Sequence, residues 1–208
     1  MSTENKKIFV ESYFPTRILY ADLPEGLAQN SQWLKHIYKW RENDAEGIER
    51  TNVKKMGAWH SRDDMKEKEE FSSMCNMILG AASAVFENLG YAKDTEPVID
   101  NMWVNISPPL GYNRAHTHPG TILSGVYYVH LPEDDPGNII FKDPRVQADV
   151  LLARFDPDRE EDSWRWAEVY YKPIEGRIIF FPSWLLHEVE VNMSEAAGDE
   201  ANRYQCCV

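Results

Sequence analysis

The chain has 208 residues, of which 43% are hydrophobic and 12% aromatic. This is enough apolar material for one domain with a buried core, and it argues against disorder over most of the chain. The formal net charge is −12, from 34 acidic and 22 basic residues. Nucleic acids and anionic membrane surfaces recruit lysine and arginine, so we expect neither as a main partner.

The cysteines and the chain start indicate the compartment. The chain has an odd number of cysteines and no CxxC spacing, which is typical of reduced thiols in a cytoplasm; the three are Cys75, Cys206 and Cys207. The first ten residues are polar, and no apolar run approaches the roughly 20 residues that a membrane helix needs. We therefore expect a soluble cytoplasmic protein.

Residues 1–95 are predicted to be mainly helical. Apolar residues recur at helical spacing over about 27–43. A stronger helix is predicted after Ser61, a candidate N-cap, with Asp63 and Asp64 in its first turn and Gly90 at its C-terminal end. Its apolar stripe, which should pack against a sheet, comprises Phe71, Met74, Cys75, Ile78, Leu79, Ala82, Val85, Phe86 and Leu89. The intervening segment 50–61 is either a plain connector or a cover over a site.

Residues 96–208 are predicted to be β-rich. Short strands are indicated at 98–106, 122–131, 139–141, 150–154, 166–171, 177–181, 189–191 and 203–208. Proline and glycine turns separate them, which is typical of a β-sandwich or jelly roll. We predict one domain over residues 1–208, with an α+β fold in which the N-terminal helices pack outside a double sheet.

Three histidines of the β half form a candidate metal site. His116 and His118 are two residues apart, so on a strand their side chains would share a face. His187 follows the apolar run from 177 and would come from the end of a buried strand. Imidazole suits iron, zinc, copper and nickel. Each histidine alone could instead be a hydrogen-bonded structural residue, and we interpret His130 as a structural or surface residue.

The first coordination shell has an open question. Non-haem iron oxygenases commonly use two histidines and one carboxylate, and His118 stands where the carboxylate of an H-x-D pattern would be. Either three neutral ligands bind the metal, or His118 is outside the shell and another group completes it. Asp143 is a weak substitute, since Asp143-Pro144 is more typical of a turn.

Arg203 lies 16 residues after His187 (203 − 187 = 16) and opens the last predicted strand. A dicarboxylate cosubstrate in an apolar barrel needs a bidentate cation, which arginine supplies and lysine does not. The alternative is an exposed arginine in an acidic tail.

Several segments together resemble a known family. They are Trp103-Val-Asn105, Gly111-Tyr112, His116-Thr-His118-Pro119, Leu123-Ser-Gly-Val-Tyr-Tyr128, 173–176, Phe181-Pro-Ser-Trp184, His187-Glu-Val189 and Arg203, preceded by Thr51-Asn52 and Gly57-Ala-Trp59-His-Ser61. This series is similar to the 2-oxoglutarate/Fe(II) oxygenase family of bacteria and marine phages, whose layout is like that of prolyl 4-hydroxylases.

The resemblance implies a double-stranded β-helix, similar to the cupin jelly roll, and a dioxygenase that uses Fe(II), 2-oxoglutarate and O2. It implies that His116 and His187 bind iron, with His118 in the place of the acid. Arg203 would hold the distal carboxylate of 2-oxoglutarate. Tyr128, Ser124 and Asn105 would contribute to the cosubstrate pocket, and Tyr127 would point into the core.

Two alternatives remain at this point. One is a cupin-like three-histidine metalloenzyme that does not use 2-oxoglutarate, and the other is a non-catalytic binding module on the same fold. A substrate that is a small molecule or a protein side chain fits the oxygenase interpretation, and a homodimer is a further expectation.

Overall fold

Two antiparallel sheets face each other in the computed structural model, which describes residues 9–147 and 166–208. The strands are β1 Leu19–Asp22, β2 Trp59–His60, β3 Trp103–Ser107, β4 Asn113–His116, β5 Leu123–His130, β6 Ile139–Lys142, β7 Glu168–Tyr171, β8 Arg177–Pro182, β9 His187–Val189 and β10 Arg203–Cys207. One sheet has the order β1-β8-β5-β10-β3-β2 and the other β4-β9-β6-β7. This is the predicted double-stranded β-helix.

The helices cover the outer face of the six-stranded sheet, as predicted. They are α1 Pro24–Leu27, α2 Asn30–Glu42 and α3 Ser72–Leu89. Trp33 and Ile37 of α2 and Met74 of α3 are buried against the sheet residues Tyr127 and Ile178. Among the described residues, no helix is both long enough and apolar enough to cross a membrane.

The predicted start of α3 at Ser61 was wrong. The helix begins at Ser72, after two short 3-10 turns at Met65–Glu67 and Glu69–Phe71. The Ser61 hydroxyl accepts a hydrogen bond from the Val104 amide and donates one to the Arg62 carbonyl, so it secures the chain to β3. The apolar stripe begins only at residue 71, and the α3 end at Gly90 is confirmed by a left-handed φ of 79°.

Several predicted strand limits also differ from the structure. The strand predicted at 98–106 begins only at Trp103, because residue 98 is exposed and unpaired within the described sheets. The strand predicted at 189–191 lies at His187–Val189. Three strands, β1, β2 and β4, were not predicted. Each has at most four residues and depends on a distant partner strand. The strand predicted at 150–154 falls outside the described residues.

Successive side chains of β5 and β10 alternate between two hydrophobic cores, one on each face of the six-stranded sheet. Tyr127 on β5 and Tyr204 on β10 face the helices. Val126 and Tyr128 face the opposite way, into the space between the sheets, with Phe181 of β8. Alternate side chains of β10 also face inward, and these are Arg203, Gln205 and Cys207. Polar groups from a central strand therefore enter the barrel.

A close glycine contact positions β2, which lies beside the barrel opening. A Cβ added to Gly47 would lie 2.0 Å from Nε1 of the buried Trp59. We expect Gly47→Ala to lower the free energy of unfolding by about 1–3 kcal/mol, as overpacking does. Gly80→Ala in α3 is the matched control, since its Cβ meets nothing within 4 Å. That variant should be at least as stable as the parent in urea unfolding. Equal loss in both variants would contradict the packing explanation.

Candidate metal centre and cosubstrate pocket

The three predicted histidines converge at one end of the four-stranded sheet. The candidate ligand atoms of His116, His118 and His187 all lie within 4.8 Å of one another. His116 ends β4 and is directly opposite His187 on β9. His118 lies just beyond β4 and is held by a backbone hydrogen bond to the Ser183 carbonyl, 2.9 Å. The prediction that His116 and His118 share one face of a strand was therefore wrong, because His118 lies outside β4. His118 nevertheless lies beside the other two histidines.

A β-bulge brings His116 to this place. Asn113 is opposite Val189 and His116 is opposite His187, so three steps on β4 match two on β9. Without the extra residue Ala115 would be opposite His187. Bulges re-aim side chains in this way next to functional sites.

Backbone carbonyls select the ring nitrogen that is free to bind a metal. Nδ1 of His116 lies 2.6 Å from the Arg114 carbonyl, and Nδ1 of His187 lies 2.9 Å from the Leu185 carbonyl. A carbonyl only accepts, so each Nδ1 carries the hydrogen and each Nε2 has its lone pair available. This arrangement is typical of histidines that ligate metals.

Burial keeps two of the rings neutral. Desolvation, with smaller contributions from the neighbouring histidines, lowers the pKa of His187 to about 3. Burial and the nearby His116 lower the pKa of His118 to about 4. Metal ions bind the unprotonated imidazole, so these rings are ready to bind a metal at neutral pH.

No carboxylate joins the histidines in the described part of the chain. Asp143, the substitute considered above, accepts bonds of 3.0 and 2.7 Å from the Arg145 side chain. That guanidinium lowers the pKa of Asp143, as expected for a turn carboxylate held in an ion pair. Three imidazoles therefore form the candidate metal-binding group, a donor set that suits iron as well as zinc, copper and nickel.

The histidines open onto a cavity of about 270 Å³ between the sheets. Arg50, Thr51, Asn52 and His60 line it, so the 50–61 segment is part of the site wall and more than a connector. The His60 ring stacks on Trp103 at 5.8 Å, and Trp103 lies 5.5 Å from the His118 ring. No Asp or Glu occurs among the described lining residues, although the chain carries 34 acidic residues.

Arg203 is fully buried, which excludes the exposed-tail alternative. Its Nη1 donates to the carbonyls of Pro136 and Glu190, and its Nε and Nη2 have no partner among the described residues. Burial lowers the pKa of Arg203 to about 10, so it remains a cation at neutral pH. A buried cation with two free donors and no ion pair in the described residues fits the carboxylate of a bound dianion.

Of the four residues predicted to bind the cosubstrate, Arg203, Tyr128 and Asn105 lie on neighbouring strands. Asn105 lines the cavity, and Tyr128 is 1% exposed on the inner face. Burial raises the pKa of Tyr128, so its phenol keeps its proton and can donate. Ser124, Tyr128 and Arg203 are all absent from the described lining of the histidine cavity, and the Ser124 hydroxyl lies 2.9 Å from that of Ser183.

Sequence reasoning missed two inner-face residues of β10. Gln205 and Cys207 both line the cavity. The signal was available, since they follow Arg203 at the strand period of two. His130, in contrast, is structural as expected, with Nδ1 3.1 Å from the Glu175 carboxylate.

Residues 101–198 match the family model described as "Putative 2OG-Fe(II) oxygenase". A comparison with curated protein sequences gave no match.

Solved structures of the same fold agree with this match. A prolyl-4-hydroxylase from Pseudomonas putida is 16% identical, with a TM-score of 0.55 over 92% of this chain and 91% of that chain. The viral collagen prolyl hydroxylase of Paramecium Bursaria Chlorella virus-1, solved as a 2OG complex, is 13% identical, with a TM-score of 0.53 over 91% and 93%. HygX from Streptomyces hygroscopicus, with nickel, 2-oxoglutarate and hygromycin B, is 8% identical, with a TM-score of 0.59 over 92% and 81%. At these identities the likeness shows the fold. Residues 101–198 are therefore similar to a 2-oxoglutarate/Fe(II) oxygenase, and the double-stranded β-helix and the three-histidine group agree with that match.

Proposed function

We propose that this chain is a single-domain dioxygenase that hydroxylates a small molecule or a protein side chain. In this proposal His116, His118 and His187 hold the iron, and Arg203 holds the distal carboxylate of 2-oxoglutarate. The observation that carries it is the fully buried Arg203, whose Nε and Nη2 have no partner among the described residues of a barrel that also holds the histidines.

When bound, iron and 2-oxoglutarate would supply the oxidation, in which 2-oxoglutarate and O2 would give succinate and CO2 and the second oxygen atom would enter a C–H bond of the substrate as a hydroxyl group. The protein's residues bind and orient the reactants and exclude water. Arg203 fixes one end of the cosubstrate, and Tyr128 and Asn105 offer hydrogen-bond donors from neighbouring strands. No acid or base from the protein is required.

The acid-free ligand set distinguishes this chain from the usual two-histidine, one-carboxylate site. Three neutral imidazoles leave the full charge of the metal to be balanced by other groups, and a 2-oxoglutarate dianion balances it. Without 2-oxoglutarate, as in a cupin-like three-histidine enzyme, Arg203 would remain a buried cation without a counter-charge, which is costly. The same cost argues against a binding module that has lost its cosubstrate.

An anaerobic titration tests the proposal. We expect Fe(II) and 2-oxoglutarate, added together to the purified protein, to give the weak visible charge-transfer band of an iron–oxoglutarate complex. Admission of O2 should then yield succinate even without a prime substrate. Fe(II) with succinate in place of 2-oxoglutarate is the control and should give no band. A metal-loaded protein with no band and no succinate would refute the use of 2-oxoglutarate and favour the cupin-like alternative.

A further inference from the structure

Gln205 is a buried polar side chain with an unmet hydrogen bond. It is 2% exposed, lines the histidine cavity, and its Oε1 has no hydrogen-bond partner in the part of the chain that the structure describes. Buried amides almost always have their groups paired, since an unpaired one is destabilising. Because Gln205 lines the cavity, a ligand bound there could complete the pairing.

Gln205 lies between Arg203 and Cys207 on the inner face of β10. It is on the same strand and face as Arg203, two residues and about 7 Å along β10. The next inward residue, Cys207, lines the cavity with the histidines. Arg203 itself is absent from the described lining of this cavity, so Gln205 is the inward residue of β10 that is both next to Arg203 and part of the cavity wall.

Neighbouring strands extend the polar surface on both sides. Asn105 and Tyr128 are the direct cross-strand partners of Gln205, and His60 is the partner of Asn105. Directly opposite residues have Cβ atoms about 5 Å apart, so the four side chains form one row across the inner face. None of the four is a carboxylate, and such a row suits an anion.

The Gln205 amide can present a donor to such a ligand. The Gln205 Nε2 lies 3.8 Å from Sγ of Cys207, and Asn105 Nδ2 donates to the same sulfur at 3.3 Å. The amide oxygen and nitrogen have nearly the same shape, so a 180° rotation of the amide would place Nε2 at the position of the unpaired Oε1. Burial raises the pKa of the Cys207 thiol to about 12, so its S–H is retained and can donate to the rotated Oε1.

We propose that Gln205 is a cosubstrate-binding residue that donates a hydrogen bond to 2-oxoglutarate between Arg203 and the metal. This inference rests on the proposed function. It predicts that Gln205 contributes to the affinity for the keto acid and leaves metal binding unchanged.

Calorimetric titration of 2-oxoglutarate into Mn(II)-loaded protein under argon tests this without turnover. Gln205→Met, which keeps the size and removes the hydrogen bonds, should raise the Kd for 2-oxoglutarate about 10-fold. Gln205→Glu, which adds a negative charge at the same place, should raise it more than about 30-fold. The matched control, Gln32→Glu on the exposed side of α2, should leave the Kd within about two-fold of the parent value.

The possible results distinguish a failure of the proposed function from a failure of the role assigned to Gln205. If the parent protein takes up Mn(II) but not 2-oxoglutarate, the proposed function fails. If the parent binds 2-oxoglutarate and both Gln205 variants bind it equally well with full metal content, the assignment of Gln205 is overturned. Should Gln205→Glu fail to fold, Gln205→Met decides the question, because it introduces neither charge nor bulk.

Discussion

Replacement of His187 by alanine should abolish metal retention. The parent protein, loaded with Fe(II) under argon and desalted, should carry about one iron per chain, and His187→Ala less than about a tenth of that. His187 is 3% exposed and supplies one of the three imidazoles, so its loss leaves two ligands and no carboxylate among the described residues to replace it. Metal analysis of the desalted protein measures the effect.

A second readout of the same variant is thermal. An ion that binds only the folded state stabilises it by about 2.7 kcal/mol at a hundredfold excess over its Kd, so the parent Tm should rise with added metal and the Tm of His187→Ala should not. His130→Ala is the matched control, because His130 pairs with Glu175 outside the metal-binding group. Full metal occupancy in His187→Ala would remove this residue from the coordination shell.

Replacement of Arg203 by methionine should abolish cosubstrate binding and spare the metal. A bidentate guanidinium–carboxylate contact in a buried site is worth about 3 kcal/mol or more, so the Kd for 2-oxoglutarate should rise at least about 100-fold. The ligand-free protein should lose little stability. Methionine gives up the bonds from Nη1 to two carbonyls, but it also removes a desolvated charge with two unpaired donors.

Two further variants define the cause of that loss. Arg203→Lys keeps the charge without the planar fork and should bind 2-oxoglutarate with intermediate affinity. Arg177→Met removes an arginine that pairs with Asp22 at the outer sheet edge, and its affinity for 2-oxoglutarate should equal that of the parent. Unchanged cosubstrate affinity in Arg203→Met, measured by the charge-transfer band, would contradict the role given to Arg203.

The features predictable from sequence were those with a local signal. The α3 stripe repeats every three to four residues, so the helix and its C-terminal glycine were predicted. The order of short strands indicated a double sheet, and the spacing of His116, His118, His187 and Arg203 indicated a site. The family resemblance then specified the double-stranded β-helix that the structure shows.

The features that escaped prediction depend on distant partners. The two-residue strand β2 exists because Trp59 and His60 pair with β3, more than 40 residues away. The bulge that sets His116 opposite His187 is a property of two strands together and has no signature in either. Ser61 looked like a helix cap because serine suits that role, but the approach of Val104 gave its hydroxyl another partner.

The pairing of β4 with β9 has a consequence for how the apo-protein should be handled. Among the described strands β4 lies at a sheet edge, and its register with β9 includes two paired positions around the bulge. In the proposed metal site, an ion bound by His116 and His187 would link these two strands through their side chains. Loss of that link would leave a poorly anchored edge with open backbone groups, the kind of surface through which protein chains aggregate. Chelators used during purification would thus reduce colloidal stability as well as remove the metal.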